Sequence, residues 1–394
     1  AYTYSYAVLG ETIAWTVGWA LILEYAVAAG AVAVGWSGYI NGLLHEMGMG
    51  LPAALMAGPA DTITLPDGTT THGTFNLLAF GISILITWLL VLGTSKSAKF
   101  TSILVVVKVL ALSVFIVLAW PHIQHSNFVP MLPNGWGTPL SGVGVLGAAA
   151  SIFFAYVGFD AVSTAAEETK NPNRNIPIGL IGSLAVCTVF YLLVSYAAIG
   201  AMGAQPGGAL SQSKEPLAFV LKEIGYPAVG NAIGIAAVLA LPSVVLMMIF
   251  GQTRILFTMA RDGLMPKAFA KVHEKYHTPH VVTIVTGIAV SIFAAIFPVG
   301  ALADISNSGT LFAFFVVALG VMVLRKQQPN RHRPFRTPFL WIVGPLAMAG
   351  CALLFVSLGW LTIKLFLGWF VIGFAVYFLY SRKRSHLANG TEHS

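Results

Sequence analysis

Charge is what this 394-residue sequence has least of. Asp, Glu, Lys and Arg make up 9% of it, against 57% hydrophobic residues. Soluble domains carry about 25% charged residues because their surfaces face water. A set this sparse cannot cover a soluble fold, and the mean hydropathy of +0.81 makes lipid the solvent that fits. Cysteine is almost absent: Cys187 and Cys351 both lie inside apolar runs, where a thiol acts as a small hydrophobe. No CxxC pair or Cys/His cluster has metal-ligand spacing. His45, His72, His122, His125, His273, His277 and His280 sit in loops without i,i+4 spacing, so no metal or cofactor is expected. The ten-residue alternating segments of a β-barrel are missing. GxSxG, HExxH and P-loop sequences are missing too, which leaves an enzymatic site without a motif.

The chain does contain long apolar stretches separated by short polar ones. A helix needs about 20 such residues to cross the hydrocarbon. Ten candidate spans follow, at 13–40, 76–94, 101–120, 142–164, 178–203, 228–252, 281–300, 305–324, 339–358 and 361–380. The fold class is all-α, a polytopic transmembrane bundle. With the first span starting in the cytoplasm, sixteen Lys and Arg fall on inner loops and the tail, among them Lys96, Lys99, Arg174, Arg261, Lys267 and Arg325. The outer side keeps only Lys214, Lys222 and Lys364. That is a positive-inside pattern, and it implies a multi-pass protein of the plasma (or inner) membrane with a cytoplasmic C-terminus. The pI near 9.4 would suit nucleic acid, but scattered loop charges build no binding face, so no nucleic-acid partner is expected. The opening AYTYSYAVLGE has no initiator Met, is rich in tyrosine and reads as an inter-helix loop; upstream residues are expected before it.

Ionisable groups inside a span cost several kcal/mol unless partnered or facing water, so each is a functional candidate. Glu24 sits mid-span in WALILEYAVAAGAVAVGW, one turn before the small surface of Ala28, Ala29 and Gly30. It is either a carboxylate facing a cavity or a hydrogen-bond partner between helices. Lys108 lies eight residues into FTSILVVVKVLALSVFIVLAW, too deep to snorkel comfortably. An ammonium there either has an acidic partner or exchanges its proton. Asp160 follows SIFFAYVGF, where Gly158 among aromatics invites an interruption of the helix. Broken helices expose backbone groups that hold the carboxylate and amine of an amino acid; the plain alternative is a helix that merely contains a glycine. Glu167 and Glu168, beside Lys170 and Arg174, form either an interfacial gate or a solvated helix end.

Several segments together resemble the amino acid–polyamine–organocation superfamily, and within it bacterial permeases similar to cationic amino acid transporters. They are AYTYSY with GWALILEY, FFAYVGFDAVSTAAEETKNPNRNIPIGLI, GQTRILFTMARDGLMPKAFAKVH, and SNSGTLFAF with VLRKQQPNRHRPFRTP. The resemblance implies twelve core helices, the first ten as two five-helix inverted repeats, with this chain starting at the end of the second. On that plan 1–125 is the remainder of the first repeat, 140–325 the second, 338–381 two extra helices and 382–394 a cytoplasmic tail, all one transporter domain. The family's glycine-rich first helix, which holds half the substrate site, has no counterpart here. By resemblance, Lys108 matches a lysine that replaces a sodium ion in proton-coupled relatives. Phe154, Ala155, Tyr156, Val157 and Gly158 match the unwound part of the sixth helix, and Glu24 an acidic position of cationic-type members. The expected function is proton-coupled uptake of neutral or cationic amino acids by alternating access. Amino acid/polyamine exchange and a non-transporting sensor or subunit remain the alternatives. Protons, an amino acid and the bilayer are the expected partners.

Overall fold

The computed structural model describes residues 2–64, 70–93, 98–159, 171–330, 333 and 335–384. Its α-helices are α1 (Tyr2–Leu9), α2 (Glu11–Glu46), α3 (Leu77–Leu92), α4 (Ala98–Ala119), α5 (Gly144–Ile152), α6 (Pro172–Met202), α7 (Ala209–Gln212), α8 (Pro216–Glu223), α9 (Pro227–Arg261), α10 (His280–Ile296), α11 (Val299–Gln327), α12 (Leu340–Ser357) and α13 (Trp360–Leu379). A short antiparallel hairpin, β1 (Thr62–Thr64) with β2 (Thr70–His72), lies in the connection between α2 and α3. Among the described residues seven helices are long and apolar enough to cross a membrane, and three shorter apolar helices complete the ten candidate spans. The chain is an all-α polytopic bundle.

The opening residues depart from expectation. Residues 2–9 form helix α1 and not an inter-helix loop, as the end of a second helix in the family plan would, and the Tyr2 hydroxyl donates to Asp262 at the end of α9 at 2.7 Å. Gly10, at φ +86°, then turns the chain into α2.

Helix α2 is the axis of the molecule. In its apolar stretch 94% of residues are buried, against none in that of α6. The difference follows from composition. The stretch from Ala26 to Ala33 is largely alanine and glycine, small residues that let helix backbones approach closely. At Gly30 the backbone of Ala294 on α10 and the side chain of Leu302 on α11 come within 3.6 Å of where a Cβ would sit. In α6, by contrast, Ile178, Ile181, Val186, Val189 and Leu192 are exposed and suit lipid.

The last two helices are not detached from this core. Trp19 and Trp369 stack at 4.6 Å, and each indole N–H donates to the other residue's carbonyl, at 2.8 and 2.9 Å. Trp15 adds a third bond, to the carbonyl of Gly373. Tryptophan seeks a partner for its N–H when buried, and here three such bonds fix α13 on α2.

Local signals set the helix ends. Asn76 caps α3 by accepting from the amide of Ala79 at 3.0 Å, and its Nδ2 donates to Ser37 of α2 at 2.9 Å. Gly93, left-handed at φ +75°, closes the same helix. At the end where α2 finishes, Lys222 bridges Glu46 and Glu215 at 2.8 and 2.9 Å, and Lys214 pairs with Asp61 at 2.8 Å. Gly38 and Gly42 make this possible, since a Cβ on either would collide with Lys214 or Glu215.

Candidate functional site

Helix α5 stops halfway. Its α-helical part ends at Ile152, a 3-10 turn follows at Phe153–Tyr156, Val157 is extended, and Gly158 takes φ +101°. Only glycine adopts that backbone freely. The backbone angle alone sets this demand, for the one atom near an added Cβ is the flexible tip of Met248 on α9, at 2.9 Å. An interrupted helix leaves amide and carbonyl groups without partners inside the span, and here they are held from two sides. Tyr191 of α6 donates to the carbonyl of Ala155 at 2.6 Å, and the Tyr156 hydroxyl meets Thr188 of α6 at 2.9 Å. From the other side, Asn307 of α11 donates to the carbonyls of Ala150 and Ser151 at 2.9 and 2.8 Å.

Glu24 is fully buried in α2, facing α11. Ser306 donates to its carbonyl at 3.2 Å, and Gly309 lets α11 close on it: a Cβ there would stand 3.2 Å from that of Glu24. Two residues before it, the carbonyl of Ile22 accepts from Gln252 of α9 at 3.3 Å. The backbone and Cβ of Glu24 therefore lie within the tight contact of α2 and α11, next to the turn that α9 holds through Gln252.

Lys108 is half-buried on α4, and its Nζ donates to Ser243 Oγ on α9 at 3.4 Å, a long bond. Ser243 in turn donates to the carbonyl of Ala240 at 2.7 Å. Among the described residues no carboxylate lies in ion-pair range of Lys108. The neighbouring Pro242 cannot donate to the carbonyl of Val238, four residues back. Trp36 of α2 fills that vacancy with a 2.9 Å bond.

Helix α9 thus joins the three features that the sequence singled out separately. Ser243 meets Lys108, Met248 meets Gly158, and Gln252 meets the turn of α2 that carries Glu24. Phe154 and Val157 pack on the central core, Ala155 is exposed, and Tyr156 faces α6. Asp160, Glu167, Glu168 and Lys170 lie outside the described residues. Sequence reasoning missed Ser243, Tyr191, Asn307 and Asp304, an acid on α11 three residues before Asn307. Asp304 carried a usable signal as an acid in an apolar stretch. The expected span 305–324 begins one residue after it, whereas α11 begins at Val299, directly after Pro298.

A bundle of apolar helices with one interrupted, a buried carboxylate on one neighbour and an intramembrane lysine on another defines a membrane carrier of the secondary-transporter kind. The chain belongs to the amino acid permease family: the family model described as Amino acid permease matches residues 1–381. It is 44% identical over 386 residues to the branched-chain amino acid permease BcaP of Bacillus subtilis, covering 98% of this chain and 80% of the relative. The methylthioribose transporter of the same organism is 41% identical over 387 residues, with the same coverage. The vacuolar cationic amino acid transporter 2 of Arabidopsis thaliana is 33% identical over 337 residues, 84% of this chain and 50% of that one. The protein is a multi-pass membrane permease and not an enzyme.

Proposed function

We propose that this permease takes up neutral amino acids with branched aliphatic side chains, by proton symport across the plasma membrane and with its C-terminus in the cytoplasm. The observation that carries the reading is the break after Ile152. It places backbone amides and carbonyls of residues 153–158 outside a regular helix at mid-span, groups of both polarities such as the zwitterionic end of an amino acid requires. In this reading residues 153–158 hold the α-amino and α-carboxyl groups, through Phe154, Ala155, Tyr156, Val157 and Gly158. Asp160 is a further candidate of the same segment. Glu24, enclosed by α9 and α11, biases the pocket by charge, and its tight surroundings favour a compact side chain over a long cationic one. The branched-chain permeases among the relatives, at 44% and 31% identity, support the same preference.

Lys108 is the proposed proton carrier. Its single long bond to Ser243 costs little to break, so gain and loss of the proton change the α4–α9 contact without dismantling a salt bridge. The repeat plan, with 1–125 and 140–325 as the two halves, 338–381 as extra helices and 382–394 as a tail, belongs to the same reading.

The test is uptake of labelled leucine and arginine into proteoliposomes with and without an inward proton gradient, for the wild type and Lys108→Ala. Gradient-driven leucine uptake that the variant loses is the expected result. Uptake only into substrate-loaded vesicles, unchanged in the variant, would refute symport and make the protein an exchanger. A second reading, favoured by the 41% identical methylthioribose transporter, is tested by offering that sugar as a competitor.

A further inference from the structure

Asn307 is completely buried, two residues before Gly309 closes α11 on α2 and directly after Ser306 binds the carbonyl of Glu24. Its amide nitrogen makes two bonds, at 2.9 Å to Ala150 and 2.8 Å to Ser151. Those carbonyls stand where α5 gives way to the 3-10 turn. In a continuous α-helix they would accept from the amides of residues 154 and 155. Asn307 therefore caps a helix to which it is remote in sequence. Its side chain suits the task, because a neutral amide offers two N–H donors on one nitrogen. The same turn of α11 is thus anchored to the Glu24 segment on one side, through Ser306 and Gly309, and to the break on the other, through Asn307.

We propose that Asn307 is a positioning residue of the substrate site, one that caps the broken end of α5 from α11 and so sets where the backbone groups of residues 153–158 point. This rests on the reading that the break binds the substrate.

The experiment compares wild type, Asn307→Ala, Asn307→Asp and the control Ser308→Ala in two readouts. Ser308 is equally buried but bonds only within its own helix. The first readout is the affinity for leucine, measured by equilibrium binding at pH 8 and pH 5 and expressed relative to the wild type at each pH, which cancels any titration of Glu24 or Asp304. The second is hydrogen–deuterium exchange of residues 144–158 without substrate.

Asn307→Ala is expected to weaken binding about tenfold, the worth of two lost bonds, and to speed exchange at the break while Ser308→Ala changes neither. Asn307→Asp should bind no better than the alanine variant at pH 8, since a carboxylate offers no donor to two carbonyls. At pH 5 it should recover relative to alanine, because its protonated form donates again. A merely structural pin would not show that acid rescue. Wild-type affinity and exchange in Asn307→Ala would overturn the proposal, as would an Asn307→Asp deficit equal at both pH values. Wild-type protein that binds no amino acid would sink the proposed function, and the exchange readout would then decide the role of Asn307 alone.

Discussion

Replacing Gly309 by alanine tests whether the contact of α2 and α11 is as tight as its geometry demands. The added Cβ would stand 2.7 Å from the carbonyl oxygen of Ala20, 3.2 Å from Cβ of Glu24 and 3.4 Å from its amide nitrogen. The nearest of these is backbone of a buried helix and cannot rotate away. Non-bonded heavy atoms settle near 3.5 Å, so the helices must part by roughly half an ångström or more. Overpacking of this kind costs about 1–3 kcal/mol. The bond from Ser306 to the Glu24 carbonyl is already 3.2 Å long, and separation removes it for about 1 kcal/mol more. A total of about 2–4 kcal/mol corresponds to a fall in melting temperature of roughly 3–8 °C in a chain of this size. The assay is thermal unfolding in detergent followed by tryptophan fluorescence, with Gly350→Ala as control. Gly350 has open space where its Cβ would go, and alanine there should be neutral or slightly stabilising. A Gly309→Ala protein that melts with the wild type would refute the reasoning, for it would mean that the two helices are free to separate.

Two further outcomes follow from contacts away from the break. Changing Trp19 and Trp369 to phenylalanine should cost about 1 kcal/mol each, since each removes the one bond its own indole donates to a backbone carbonyl, and the double variant should lose less than the sum only through the shared ring stack; strictly additive melting shifts would refute a coupling through the stack. Burial pulls the Lys222 ammonium down, but its bonds to Glu46 and Glu215 outweigh that and hold it above its ordinary value of 10.5. A raised folded value stabilises fully below the unfolded one and is lost as pH climbs through the folded one. The melting difference between wild type and Lys222→Met should therefore stay constant from neutral pH up to about 10 and shrink above it; a difference that shrinks towards acid pH instead would contradict this sign.

The spans were legible because hydropathy is a local property, and each of the ten apolar stretches became a helix. The break was legible for a local reason too, as Gly158 among bulky aromatics marks a backbone that leaves the helical region. Helix α1 was not. Its tyrosines look like a polar loop until Tyr2 finds Asp262, 260 positions away in the chain. The same distance in sequence conceals the partners of the candidate site. Lys108 announces itself as an expensive charge, but Ser243, 135 residues on, is one serine among many. Asn307 reads as part of a motif, and only packing aims it at carbonyls more than 150 residues earlier. Ionic cost is written in a single segment, whereas the donor or acceptor that offsets it is chosen by the fold.

How the buried residues divide bears on transport. One core joins α2, α3, α9, α10, α11 and α13, and holds Trp15, Val27, Ile249, Met259 and Leu302. A second, smaller core joins α4, α6, α8 and the start of α9 through Phe115, Ala197, Leu221 and Ile233. Helix α9 therefore belongs to both: Ile233 lies in the small core, Val245 in the large one, and Pro242 between them. A proline there removes a helix bond at the boundary, and Trp36 takes over the carbonyl it leaves. Lys108 reaches out from the small core to Ser243, the residue after that proline. Packed interiors deform little, so relative movement concentrates where two of them meet. A lysine on that seam, bonded at 3.4 Å to Ser243 among the described residues, stands where any movement of the α4–α6–α8 core against α2 and its neighbours would act, with Pro242 as the place for α9 to bend.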